Sequence, residues 1–118
     1  MQIRKSIAFD AAHFLDNCGD GRPYARMHGH SFRLTVEIVG EPDAETGWVV
    51  DLGEVNDALV ELREALDHRL LNEIEGLERP TLENISRWAA ARLKARFPGL
   101  SRVIVERPSV GEACEYAL

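Results

Sequence analysis

Cysteine is scarce in this chain. Cys18 and Cys114 are its only two, and they form no metal or redox spacing with each other. In a protein expected to be cytosolic they read as free thiols rather than a disulfide. Long apolar runs are also missing, so no membrane-spanning helix is expected. Met1-Gln2-Ile3-Arg4-Lys5 lacks the apolar stretch of a signal peptide, and a cytoplasmic location is the expectation. Basic residues are outnumbered: 14 Lys and Arg against 20 Asp and Glu give a net charge of −6. A broad electrostatic footprint for nucleic acid is therefore not expected, although a local basic pocket for a small anion remains open. There is no internal repeat, linker or low-complexity segment. The 118 residues, 45% hydrophobic and 29% charged, suit one soluble domain over 1–118 with a single core.

Histidine is rare too, and its placement is informative. Of four histidines, three fall early: His13, then His28 and His30 in Met27-His28-Gly29-His30-Ser31-Phe32. On an extended segment an H-x-H pair points both imidazoles to one side, because side chains alternate with period two. His13 ends an earlier alternating run, so a neighbouring strand could bring a third ligand to the same point. Three imidazoles leave one coordination position open, the layout of a catalytic rather than a structural zinc. Ordinary surface or core histidines are the competing reading.

Residues 2–12 alternate, with Ile3, Lys5, Ile7, Phe9 and Ala11 on one side, and read as a strand. Residues 14–27 carry Asn17, Gly19, Gly21 and Pro23 and read as a long loop, of a size more often functional than idle. Alternation returns from His30 with Phe32, Leu34, Val36 and Ile38, and stops at Gly40-Glu41-Pro42-Asp43. A short strand is expected at Trp48-Val49-Val50. Asp51, with Glu54 three residues on, resembles a capping box and opens a helix with Val55, Leu59, Leu62 and Leu66 on one face. Pro80-Thr81 opens a second helix along Ile85, Trp88, Ala89, Leu93 and Phe97, stopped by Pro98-Gly99. Residues 101–107 and 112–117 read as two last strands. The order argues α+β, with a mostly antiparallel sheet and two helices on one face.

Six segments stand in order: Phe9-Asp10-Ala11-Ala12-His13, His28-Gly29-His30-Ser31-Phe32, Gly47-Trp48-Val49-Val50-Asp51, Leu66-Asp67-His68, Pro80-Thr81-Leu82-Glu83-Asn84 and Val105-Glu106. Together they resemble the 6-pyruvoyl-tetrahydropterin synthase family, and within it the bacterial 6-carboxy-tetrahydropterin synthases of queuosine biosynthesis. The resemblance runs over essentially the whole chain. It implies the tunnelling fold, a four-stranded antiparallel sheet with two helices on one side. It also implies trimers that stack into a homohexamer, with active sites between subunits. The implied reaction is the zinc-dependent lyase conversion of 7,8-dihydroneopterin triphosphate to 6-carboxy-5,6,7,8-tetrahydropterin, with release of acetaldehyde and triphosphate. Alternatives are a pyruvoyl product, side-chain cleavage to a hydroxymethyl pterin for folate, or a non-catalytic pterin- or zinc-binding paralogue.

By this resemblance His13, His28 and His30 are the zinc ligands. Glu106 anchors the pterin by accepting two parallel hydrogen bonds, where it would otherwise be a solvated strand carboxylate. Asp67 and His68 form the proton-handling pair, where His68 could otherwise be a helix C-terminal cation favoured by the macrodipole. Asp51 reads as an N-cap and Thr81 as a helix start, and Thr81 and Glu83 could also touch the pterin edge across a subunit interface. Arg22, Arg26 and Arg33 are triphosphate candidates by proximity, each more simply a solvated charge.

One position departs from the family pattern. Well-known members have a catalytic cysteine four residues before the first histidine of the HGH segment, where this chain has Tyr24 in Pro23-Tyr24-Ala25-Arg26-Met27-His28. Either the loop folds so that Cys18 reaches the site as a thiolate base, or His68, Tyr24 or a hydroxide on the metal takes the proton. A phenol with a pKa near ~10 is a poor base at neutral pH. The folate-type variants use a Glu in this loop. Residues 14–27 contain none, although Asp16 and Asp20 lie there.

Overall fold

A computed structural model describes residues 1–16 and 21–118. Cys18 lies outside the described residues. Strands β1 (Gln2–His13) and β2 (His28–Val39) are followed by helices α1 (Leu52–Leu66) and α2 (Leu82–Leu93), then by β3 (Leu100–Arg107) and β4 (Glu112–Ala117). The four strands form one antiparallel sheet in the order β1-β2-β3-β4. The α+β expectation of four strands and two helices matches this architecture.

Period-two burial decides which face the helices cover. Phe9 and Ala11 of β1, Phe32, Leu34 and Val36 of β2, and Val103 and Val105 of β3 are buried in one cluster. The same cluster takes Val55, Leu59, Leu62 and Leu66 from α1 and Ile85, Trp88, Ala89 and Leu93 from α2. Each large apolar side chain moved from water contributes roughly 1.5–3 kcal/mol, which makes this face the one that defines the register. Both helices start at side-chain caps: Asp51 accepts from Gly53 N–H at 2.7 Å, and Thr81 accepts from Asn84 N–H at 3.2 Å. The Asp51 cap is therefore a local turn contact, not the reciprocal box expected with Glu54. Helix α2 ends at Leu93, short of the expected Phe97. The chain still completes a last turn, with Phe97 N–H donating to Leu93 O at 2.9 Å.

The far face of the sheet is polar. Glu37, only 1% exposed, is paired with Arg4 and with Arg102 at 3.4 Å, and the Ser6 and Thr35 hydroxyls share a hydrogen bond of 2.7 Å. β1 and β4 are the edges of the sheet. Among the described residues, the outer edge of β1 is covered only near its C-terminal end, where Ala12 bridges to Leu70 and donates to Arg69 O at 2.9 Å.

Trp48-Val49-Val50 is not a strand. Gly47 sits in the left-handed region (φ 76°), inside a turn that Asp43 organises by accepting from Glu45 and Thr46 N–H groups at 2.8 and 2.9 Å. Val49 and Val50 pack against the core from this turn, and Asp51 starts the helix at once. A β-branched pair squeezed between a turn and an N-cap has no room to pair with a strand.

Candidate metal centre and active site

The register of β1 against β2 builds the histidine cluster. His13 lies directly opposite His28, and Ala11 opposite His30. Phe9 also opposes Phe32, so all three imidazoles continue the face that carries the core. Ring centroids are 4.6 Å apart for His13 and His28, 5.1 Å for His13 and His30, and 4.8 Å for His28 and His30. One ring nitrogen from each converges to within 4.8 Å of the others.

Hydrogen bonds fix two of the tautomers. His13 Nδ1 lies 2.9 Å from Pro80 O, and His28 Nδ1 lies 2.6 Å from Arg26 O. A carbonyl only accepts, so Nδ1 carries the proton on both rings and Nε2 presents its lone pair. His13 Nε2 is buried and has no hydrogen-bond partner among the described residues. An orphaned lone pair of this kind, aimed at two more imidazoles, fits a metal-ligand role. The all-imidazole donor set suits zinc and related divalent ions.

Burial holds the His30 pKa down to about 4, helped by the Arg107 guanidinium and by His13 and His28. His13 is likewise lowered, chiefly by burial and against the raising effect of Pro80 O. Neutral imidazoles are the form that binds metal. The sign of the consequence for the metal-free protein can be worked out. Between about pH 6.5 and about 4 the unfolded chain binds a proton at His30 and the folded chain does not, so folding stability falls as pH drops through that window. Urea midpoints of chelator-treated protein should be lower at pH 5 than at pH 7.5, and less so in His30→Gln. Equal midpoints for the parent would contradict this.

Asp67 and His68 are also brought together. Asp67 caps the C-terminus of α1, accepts from Asp10 N–H at 2.9 Å, and accepts from His68 Nδ1–H at 2.8 Å. The Asp10 N–H first, and His68 second, hold the Asp67 carboxyl below its usual range. His68 sits at φ 57°, a left-handed conformation that costs a residue with a Cβ of order 1 kcal/mol or more, and its N–H donates to Asp10 O at 2.6 Å. Its ring bonds Asp67 rather than the last helix carbonyls, and its side chain is 80% exposed. Asp10 also accepts from the Ser31 hydroxyl at 2.5 Å.

The remaining candidates are dispersed. Glu106 accepts from Arg33 Nε–H at 3.0 Å. These two residues are paired in register next to the buried Leu34 and Val105, so alternation puts them on the far face, opposite the histidines. Arg22 and Arg26 are exposed, while Glu83, in the first turn of α2, has its carboxyl held low by backbone and Thr81 hydrogen bonds and by the nearby Arg107 guanidinium. Tyr24 lies in a short turn (Pro23–Ala25), its carbonyl accepting from Leu15 N–H at 2.8 Å.

Two clefts flank the cluster. One, of about 680 Å³, is walled by His28, His30, Tyr24, Arg107, Val110 and Glu112 among others. The second, of about 570 Å³, includes Asp10, Ser31 and His68. His30 is the one residue lining both, so in a single chain His68 and Tyr24 stand at different clefts. Arg107 was missed in the sequence. Its signal is the alternation Val103, Val105, Arg107, which turns it towards the histidines and Glu106 away from them.

The family described as 6-pyruvoyl tetrahydropterin synthase matches residues 2–117. A protein of Synechocystis sp. named 6-carboxy-5,6,7,8-tetrahydropterin synthase is 40% identical over 109 residues, 87% of this chain and 83% of that one. A protein of Pyrococcus furiosus named dihydroneopterin monophosphate aldolase is 33% identical over 111 residues, 94% of this chain and 89% of that one. The solved structure of Caenorhabditis elegans 6-pyruvoyl tetrahydropterin synthase superposes with a TM-score of 0.87 at 24% identity, covering 100% of this chain and 95% of that one. At that identity the superposition speaks for the fold, which is the one the sequence led us to expect.

Proposed function

The chain belongs to the 6-pyruvoyl tetrahydropterin synthase family, a family of pterin-processing enzymes, and from that premise we propose that it converts 7,8-dihydroneopterin triphosphate to 6-carboxy-5,6,7,8-tetrahydropterin, acetaldehyde and triphosphate. In this reading the step serves queuosine (7-deazaguanine) biosynthesis in the cytoplasm. The observation that carries it is the convergence of His13, His28 and His30 beside an open cleft. These three residues hold zinc. When bound, zinc supplies Lewis acidity that lowers the pKa of a substrate hydroxyl and stabilises a developing oxyanion.

The chain's own groups do the rest. Pro80 O and Arg26 O fix the imidazoles of His13 and His28 with Nε2 inward. Asp67 holds the His68 Nδ1–H, which leaves Nε2 to take and return a carbon-bound proton. Glu106 accepts the pterin amino group and ring N–H, as a carboxylate can in a bidentate pair. Glu106 faces away from the cluster of its own chain and His68 opens on another cleft, which favours sites assembled between subunits of a trimer or hexamer. The exposed edges of β1 and β4 favour the same arrangement. Tyr24 walls the cleft where the family places a thiol, and Cys18 remains the alternative base.

The Pyrococcus furiosus relative favours a second reading, cleavage of the side chain of a phosphorylated dihydroneopterin to a 6-hydroxymethyl pterin, although the Glu of the folate-type loop is absent from residues 14–27. Incubation of zinc-loaded protein with 7,8-dihydroneopterin triphosphate, followed by mass spectrometry of the products, separates the two. We expect the 6-carboxy product with acetaldehyde. A hydroxymethyl product transfers the chain to the second reading, and bound but unconverted substrate would overturn both.

A further inference from the structure

Arg107 ends β3 and is only 16% exposed. Its Nη2 pairs with Glu112 at 2.5 Å, and its Nη1 approaches His30 Nε2 at 3.5 Å. Its Nε–H is buried and has no hydrogen-bond partner among the described residues. An arginine stays charged at any working pH, so this is a buried cationic donor with one edge unsatisfied, beside the cleft that Tyr24, His28 and Val110 also wall. Burying a donor unpaired is costly, and a ligand group that accepts from it removes the cost.

The electrostatics point the same way. A divalent cation held by His30 would share that ring's surroundings with the guanidinium. Two positive charges in a partly buried cleft repel unless an anion stands with them. Glu112 and, from the first turn of α2, Glu83 supply part of that compensation, but Glu112 engages only the Nη2 end of the fork and is itself 51% exposed. The Nε–H edge still calls for an oxyanion, and the flat fork of arginine suits phosphate oxygens.

We propose that Arg107 is the phosphate-recognising residue of this cleft, taking a phosphate oxygen on its Nε–H edge and so selecting phosphorylated over unphosphorylated substrates. The inference deepens the proposed function and rests on it for the molecule that carries the phosphate. It replaces Arg22, Arg26 and Arg33, the candidates suggested by proximity in sequence, with a residue the fold itself turns into the cleft.

Calorimetric titration of the whole protein tests it, both zinc-loaded and chelator-treated, with inorganic triphosphate, 7,8-dihydroneopterin and 7,8-dihydroneopterin triphosphate as probes. In Arg107→Met the affinity for inorganic triphosphate should fall at least tenfold in both metal states, with dihydroneopterin affinity unchanged. Glu112→Gln, which frees the guanidinium further, should tighten triphosphate binding. Equal triphosphate affinity in Arg107→Met and the parent would overturn the proposal. Binding that disappears with the metal and ignores both substitutions would also overturn it, by making the metal the sole anion receptor. If triphosphate binding needs Arg107 but no pterin binds, the pterin reading fails while this assignment stands. Tighter binding of the ester than of inorganic triphosphate assigns the site to substrate, and equal binding assigns it to the released product. Circular dichroism and unfolding midpoints confirm that each variant is folded.

Discussion

Replacing His28 by alanine is expected to remove bound zinc and to lower turnover by on the order of 10³-fold or more. The magnitude follows from what is lost. A Lewis acid stabilises transition-state charge by several kcal/mol, and each ~1.4 kcal/mol is a factor of ten in rate. His28 is a better probe than His13 because the two are embedded differently. His13 is 1% exposed, bonds Pro80 O, and packs edge-on against Phe32 with ring centroids 5.8 Å apart. Its removal would open a cavity and destabilise the fold as well as the site. His28 is half-buried near the strand entrance, and among the described residues its imidazole's one hydrogen bond runs to a carbonyl two residues away. Metal-free His28→Ala should therefore unfold with the same midpoint as the metal-free parent, while atomic emission finds no stoichiometric zinc. Retention of one zinc per chain in this variant would remove the cluster from the mechanism.

The histidine cluster was legible in the sequence because two short-range rules suffice. Alternation puts His28 and His30 on one side, and the parity shared by Phe9, Ala11 and His13 extends the same face along β1. Only the hairpin register, which sets His13 opposite His28, needed the fold. The Asp67 and His68 pair was legible as chemistry but not as geometry. What orients it is Asp10, 57 positions away, whose N–H holds the carboxylate and whose carbonyl holds His68 in a left-handed backbone. Nothing local in Leu66-Asp67-His68 announces that partner.

Glu106 and Arg107 show a different failure. They are adjacent in sequence, and strand parity alone sends them to opposite faces. The resemblance draws attention to Glu106 and not to Arg107. Its burial depends on the turn Pro108–Val110 and on Gly111 at φ 68°, which brings Glu112 back beside the guanidinium. The misread strand at Trp48-Val50 has a comparable cause. Its β-branched residues are partly buried against the core from a turn, so the composition was read correctly and the partner was absent.

The largest discriminating effect is expected from mixing two inactive variants. If active sites combine the zinc cluster and cleft of one subunit with the Asp67 and His68 pair of a neighbour, His28→Ala and His68→Ala damage different subunits of the same site. Each variant alone should be deeply impaired. For His68→Ala the loss of a general acid–base group is worth roughly 10²–10⁴-fold. In hetero-oligomers assembled from an equal mixture, a site is intact when its cluster comes from a His68→Ala chain and its pair from a His28→Ala chain. With random assembly in a closed ring that occurs at about one site in four, so the mixture should recover about a quarter of parental turnover. A site contained within one chain predicts no recovery at all, because every chain then carries one lesion in its own site. The structure favours the shared site on two grounds. His68 and the Tyr24 wall stand at separate clefts that meet only at His30. The His68 side chain, with its Nδ1–H held by Asp67, is 80% exposed and so open to the surface of a neighbouring subunit. On the proposed role of His68 as base, a ring on a left-handed backbone and open to solvent makes chemical sense only if another surface closes over it. Reassembly of the two variants from an equal mixture, with turnover measured on the whole population without selection for mixed oligomers, separates the two arrangements.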